Sequence, residues 1–254
     1  MIPIKTDSEI LKMRRSCSVV RGILEQVIAR VAPGVTTRAL DQFAADLIRE
    51  SGGKSAFLGY RGFPGNICVS VNEEVVHGIG GARQLNYGDV IKLDIGIILD
   101  GWVGDTATTV SVGMVEPKIQ KLLQCTEEAL HQGIDQARSG NRLHDIGAAI
   151  QEHVQKNGYT VVREFVGHGV GRKLHEEPQV PNYGKAGTGP RLKPGMVLAI
   201  EPMVNMGRSD VRILSDGWTV VTTDGQPSAH FEHTVLVTTD EPEILTWREI
   251  PASR

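Results

Sequence analysis

Four acidic residues sit inside apolar, strand-like runs, and that placement constrains the fold more than any other feature of the sequence. Asp94 lies in Ile91-Lys92-Leu93-Asp94-Ile95-Gly96-Ile97, Asp105 in the run from Trp102 to Val112, and Glu201 in Val197-Leu198-Ala199-Ile200-Glu201-Pro202. Glu232 lies in His230-Phe231-Glu232-His233-Thr234-Val235-Leu236-Val237. A carboxylate is costly to bury without a partner. A single pair of strand aspartates is usually solvated on an exposed face, but four carboxylates in apolar strands are hard to read as surface charge. Residues 91, 93, 95 and 97 are apolar, which puts Asp94 on the opposite face. Asp100-Gly101 marks a hairpin between strands near 89–98 and 102–112. If those two residues form the turn, Asp94 pairs with Ala107 and lies diagonal to Asp105, roughly 7–8 Å away. If Leu99-Asp100 form it, the two aspartates are directly opposed. In either register they share a face, where like charges repel unless a cation sits between them.

The rest of the chain reads as two related halves, near 1–115 and 116–254, in a single domain spanning 1–254. Thr6-Asp7-Ser8-Glu9 is a capping-box pattern, and apolar residues from Ile10 to Val31 recur at spacings of three and four, predicting a helix to about Pro33-Gly34. A second helix is expected from Thr37 to Ser51. The second half repeats the grammar, with helices expected from Glu116 to Arg138 and from Leu143 to Lys156. Gly34 to Gly52 and Gly140 to Gly158 enclose equal spans, and Leu40, Ala44 and Ile48 fall opposite Ile146, Ile150 and Val154. Asp216-Gly217 and Asp224-Gly225 mark turns in a strand meander expected from Asp210 to Thr239.

Val166-Gly167-His168-Gly169-Val170-Gly171 has the look of a phosphate loop, but Arg172 to Pro181 reads as irregular chain, with no helix N-terminus to hold an anion. The glycines fit better as residues that let the backbone approach His168 closely and aim its ring. One imidazole with four carboxylates suits two divalent first-row ions, which in two-metal hydrolases lie roughly 3.5–4 Å apart. His77 and His175 sit in loops near these elements. His131, His144, His153, His230 and His233 receive no role.

Composition removes other classes. The net charge of −3 leaves no excess of positive charge for nucleic acid or an anionic membrane. Three widely spaced cysteines, with no CxxC pattern, argue against a disulfide framework and fit a reducing cytoplasm. No run approaches the ~20 apolar residues of a membrane span.

The motifs Gly59-Tyr60, Cys68-Val69-Ser70-Val71-Asn72, Val76-His77-Gly78-Ile79, Leu93-Asp94 and Gly104-Asp105-Thr106 resemble those of type I methionine aminopeptidases. So do Gly167-His168-Gly169-Val170-Gly171, His175-Glu176-Glu177-Pro178, Ile200-Glu201-Pro202, Asp216-Gly217-Trp218 and Phe231-Glu232-His233-Thr234, and the resemblance spans nearly all of the chain. It implies an α/β (α+β) architecture, the pita-bread (creatinase/aminopeptidase) fold: two pseudo-twofold-related halves with antiparallel sheet and flanking helices. It implies two divalent metal ions per chain (cobalt, manganese, iron or zinc) on Asp94, Asp105, His168, Glu201 and Glu232, with Asp105 and Glu232 bridging. Catalytic roles fall on Glu201, His175 and His77, the two histidines also contacting substrate. Tyr60, Phe63, Cys68, Leu174 and Trp218 are implied to line a methionine pocket, with Phe57 near its rim. Gly80 stands where the family often has a proline, and Gly81 adds slack to the loop holding His77.

The implied activity is removal of the N-terminal methionine from nascent chains near the ribosome, preferring a small second residue, through attack by a metal-bridging hydroxide. The enzyme is expected to be cytoplasmic, monomeric, free of membrane and nucleic-acid contacts, and bacterial in type, lacking the N-terminal zinc-binding extension and the type II insertion. Two other readings are a proline-directed peptidase of the same fold and a non-catalytic pita-bread binding protein. All five ligand types are present, which weighs against the second.

Overall fold

The computed structural model describes residues 2–247 of the chain; residue 1 and residues 248–254 of the expected span lie outside the described residues. Helix α1 (Asp7–Ile28) starts where the capping box places it, with the Thr6 N–H donating to Glu9 Oε2 at 3.0 Å. Its stripe of Met13, Cys17, Val20, Leu24 and Val27 is fully buried. The helix stops short of the expected Pro33-Gly34. The Arg30 and Val31 amides turn to the carbonyls three residues back, and the Gly34 amide leaves for Leu85 O at 2.7 Å. Val31 still packs on the core, which is why the apolar rhythm overruns the helix.

Helix α2 (Thr37–Glu50) is capped by Thr36, whose Oγ1 accepts from the Ala39 amide at 3.2 Å. Helix α3 (Pro117–Asp135) ends short of the expected Arg138 through the same tightening, and α4 (Leu143–Lys156) matches expectation. α1 and α2 lie against strands of the first half, α3 and α4 against strands of the second.

In the first half, strands Val90–Leu99 and Trp102–Ser111 pair Asp94 with Ala107 and Leu99 with Trp102. Asp100 and Gly101 are therefore the turn, both at positive φ (50° and 77°), as a primed two-residue turn requires. Asp94 and Asp105 are diagonal neighbours rather than directly opposed. Cys68–Val71 pairs along the other edge of Val90–Leu99, setting Cys68 opposite Asp94.

The second half carries a counterpart, interrupted in the middle. Val197–Ile200 pairs with His233–Leu236, and Met203–Asn205 with Ser228–His230. Between them stands Pro202, which has no N–H to give a ladder. Glu201 and Glu232 flank that break. Gly167–Gly169 pairs with Val197–Ile200 and with Glu176–Val180, so part of the stretch expected to be irregular is a strand. The expected meander is also divided. Val211–Ile213 and Val220–Thr222 join Glu74–Val76, while the later strands pair elsewhere. The division follows from the first-half loop, where the Thr222 amide bonds Glu73 O at 3.0 Å and the Ser228 amide bonds Asn72 O at 3.1 Å.

Each half has its own core, one built on Leu24, Leu40 and Ile95, the other on Leu130, Ile150 and Leu198. A third cluster draws Met13, Phe63 and Trp102 from the first half and Val170, Leu174 and Val197 from the second. Burying each such side chain is worth roughly 1.5–3 kcal/mol, so the shared cluster is a strong reason for the halves to stay together. The three cysteines are buried and free, in keeping with the absence of a disulfide framework.

Candidate metal centre and substrate pocket

The halves meet edge to edge along residues 105–109 and 228–234. The Glu232 amide bonds Ala107 O at 2.9 Å, Thr109 Oγ1 donates to His230 O at 2.7 Å, and Thr234 Oγ1 donates to Asp105 O at 2.7 Å. These bonds set the backbones of Asp105 and Glu232 side by side. Ligand-capable atoms of Asp105, His168 and Glu232 all lie within 4.8 Å of one another. His168 Nε2 is 3.5 Å from Glu201 Oε1 and 3.7 Å from Asp105 Oδ2. Asp94 and Glu201 line the same cavity, of about 320 Å³. The five residues singled out as ligands are thus brought to one place.

His168 is held ring-inward by its neighbours. A Cβ on Gly167 would collide with Ala199 O, and one on Gly169 with Glu177 O, so glycine permits the strand to lie this close to both partners. His168 Nδ1 is 3.0 Å from Gly169 O. A carbonyl only accepts, so Nδ1 carries the proton and Nε2 keeps its lone pair toward the carboxylates. Burial, then the neighbouring His175, lowers the imidazole to about 3, which keeps it neutral and able to bind a metal.

The four carboxyls are pushed up from their ordinary range. For Asp105 the causes are burial, then Asp94 and Glu201; for Glu232, burial, then Asp105, Glu201 and Asp94. Burial raises Asp94 to about 7 and Glu201 to about 8. Asp105 Oδ1 and Glu232 Oε1 are buried without a hydrogen-bond partner. Among the described residues, none of the four is ion-paired to a lysine or arginine; His168 faces Asp105 and Glu201, and His230 faces Glu201. Orphaned oxygens, crowded carboxyls and one neutral imidazole are what a site for divalent ions requires, because a bound cation removes the repulsion and takes the free lone pairs.

Beside the carboxylates lies an apolar slot. Phe63 and Trp218 meet edge to face at 5.2 Å, with Cys68, Leu174 and Phe57 completing the walls. Tyr60 OH is 2.8 Å from His175 Nδ1, and the His175 ring lies 4.2 Å from that of His168. His77, at φ 60°, directly follows strand Glu74–Val76 and packs edge-on against Phe165 at 5.3 Å. Burial, then His230 and His175, lowers its pKa to about 4. The slack expected at Gly80-Gly81 is taken up by α2. The Gly81 amide donates to Thr37 Oγ1 at 2.9 Å, and a Cβ on Gly80 would come within 2.8 Å of Asp41 Cβ.

Several residues at the site were not singled out from the sequence, among them Phe165, Met203 and His230. Phe165 and Met203 line the cavity. His230 is 1% exposed, its Nε2 is 3.3 Å from Glu201 Oε2, and neither ring nitrogen has a well-formed hydrogen bond. A readable signal existed for it, since His230 is two residues from Glu232 and so falls on the same side of a strand.

The chain matches Metallopeptidase family M24 over residues 11–239. It is 51% identical to methionine aminopeptidase 1 of Bacillus subtilis, across 97% of this chain and 99% of the relative. The crystal structure of methionine aminopeptidase from Rickettsia prowazekii superposes with a TM-score of 0.96 at 43% identity, covering 97% of this chain and all of that one. Prolidase from Pyrococcus furiosus shares the fold at a TM-score of 0.79 and 22% identity, with 97% of this chain and 66% of that chain covered. The two helix-and-strand halves, the carboxylates at their junction and these likenesses together make the architecture the pita-bread fold, and the chain belongs to metallopeptidase family M24.

Proposed function

We propose that this protein is a methionine aminopeptidase that removes the N-terminal methionine from peptides and nascent proteins with a small second residue. The observation that carries the reading is the apolar slot of Phe63, Cys68 and Trp218 in the same cavity as the cluster of Asp105, His168 and Glu232. Aromatic edges and a sulfur suit a polarizable thioether.

Two divalent ions of cobalt, manganese, iron or zinc would be held here by Asp94, Asp105, His168, Glu201 and Glu232. When bound, such ions lower the pKa of water and polarise a carbonyl. Glu201 takes the proton released at its carboxylate and passes it to the departing amine. Because the Tyr60 hydroxyl can donate to His175 Nδ1, the other nitrogen, Nε2, is free to donate to the scissile carbonyl oxygen as it gains charge. His77, braced by Phe165, orients the amide of the second residue. Bound cations would lower the raised carboxyl pKa values, so the chemistry and the burial are matched.

The protein would act as a monomer in the cytoplasm, close to the ribosome, as one catalytic unit over its whole length. No helix of the described residues is long and apolar enough to cross a membrane. The test is His175→Ala. Turnover of Met-Ala-Ser should fall about 10²- to 10³-fold, the cost of removing one preorganised donor, with metal content intact. Loss of the metal along with the activity would overturn the role given to His175, and cleavage of Xaa-Pro peptides in preference to Met-Ala-Ser would overturn the substrate.

A further inference from the structure

We propose that Arg61 and the groove beyond it form a subsite for a carboxylate on the departing part of the substrate, either an acidic side chain at the third residue or the terminal carboxylate of a short peptide. The inference rests on the aminopeptidase reading and specifies what that enzyme selects past the second residue.

A groove of about 730 Å³ opens from the catalytic cavity and shares Arg61, His168, His175 and Gln179 with it. His175 marks the scissile carbonyl and the methionine slot lies on the Phe63–Trp218 side, so the departing chain passes His175 into this groove. Two of its five charged side chains, Glu176 and Arg172, are already engaged. Glu176 binds Lys5 Nζ at 2.6 Å through one oxygen and the amides of Arg172 and Lys173 through the other. Arg172 lies 3.8 Å from Glu9 and covers the Trp102 ring at 4.4 Å. Glu177, Lys173 and Arg61 have no ion-pair partner among the described residues, which leaves the groove with a surplus of one positive charge.

Of the two free cations, Arg61 stands at the junction of groove and cavity. Its side chain is exposed and lies over the Tyr60 face at 5.4 Å. Arg61 holds φ 50°, a conformation uncommon outside glycine, and the turn around it enforces this through bonds from Gly62 to Gly59 (3.1 Å) and from Phe63 to Tyr60 (2.9 Å). The turn therefore fixes the direction in which the Arg61 side chain leaves the backbone. Its charge reaches the site: after burial, Arg61 is the next cause of the lowered His175 pKa. A planar, unpaired guanidinium beside the path of the leaving chain recognises carboxylate in preference to neutral amide.

The experiment compares kcat/KM for Met-Ala-Asp-Ser-amide and Met-Ala-Asn-Ser-amide, and for Met-Ala-Ser as free acid and as amide, in the metal-loaded enzyme. The first pair reports a side-chain carboxylate, the second a terminal one. A partly exposed pair predicts a preference of about two- to fivefold for the carboxylate member, carried by KM and reduced by salt. Arg61→Ala should abolish that ratio at unchanged metal content, and Arg61→Lys should restore part of it. Equal rates within both pairs for the unaltered enzyme, or a preference that survives Arg61→Ala, would overturn the proposal. Failure to release methionine from any of the peptides removes the aminopeptidase reading itself, and this inference with it.

Discussion

Replacing Glu201 by glutamine should make the metal-free protein more stable while making the metal-loaded site weaker. Glutamine keeps the shape of the side chain and removes its ionisation. Burial raises the Glu201 carboxyl from 4.5 to about 8, so the folded chain holds a proton there that the unfolded chain gives up. A group with a raised folded pKa lends its stability fully at low pH and loses it as pH rises through the interval between the two values. The penalty that Glu201 imposes on the metal-free fold therefore grows from about 1 kcal/mol near pH 5 to about 4 kcal/mol near pH 8. For a chain of this size that is a gain in Tm of roughly 2–4 °C near pH 5 and 8–16 °C near pH 8 for Glu201→Gln in chelator. With metal restored the order should reverse, because the glutamine amide cannot supply the lost negative charge. Urea or thermal unfolding at both pH values, with and without chelator, reads all four states. A gain that is absent near pH 8, or equal at the two pH values, would refute the claim that burial keeps the Glu201 carboxyl protonated in the metal-free fold.

Two further substitutions test the parts around the cluster. Tyr60→Phe removes the hydroxyl bonded to His175 at 2.8 Å and should lower kcat about fivefold, the worth of one net hydrogen bond, without loss of metal; unchanged kcat would show that the ring is held by packing alone. Lys92 is 1% exposed and its ammonium joins Asn72 O (2.7 Å) to Ser228 O (3.1 Å), so it links the halves two residues from Asp94. Lys92→Met should cost about 2–4 kcal/mol in urea unfolding by leaving buried carbonyls short of a donor, and a change under about 0.5 kcal/mol would make that link irrelevant.

Residues with a local cost were the legible ones. Asp94, Asp105, Glu201 and Glu232 each interrupt an apolar alternation, and a buried carboxylate demands an explanation wherever it stands. The helix pairs were legible because their apolar stripes run unbroken from Met13 to Val27 and from Ile146 to Val154. Helix ends were not, since Val31 packs on the core from outside the helix and keeps the rhythm going. Pairings that depend on distant partners were hidden as well. Nothing near residues 210–239 announces that Thr222 and Ser228 bond to Glu73 and Asn72. Lys92 shares a strand face with Asp94, and His230 stands two residues before Glu232, so period-two reasoning reaches them only once those two are accepted as inward-facing.

The central claim is that carboxylates from both halves hold catalytic divalent ions beside a methionine slot. Methionine release from Met-Ala-Ser tests it most directly, measured before chelation, after complete metal removal, and after a divalent ion is returned. The account predicts release, loss and recovery in that order, with cleavage confined to the first peptide bond. Activity that survives complete metal removal would contradict it.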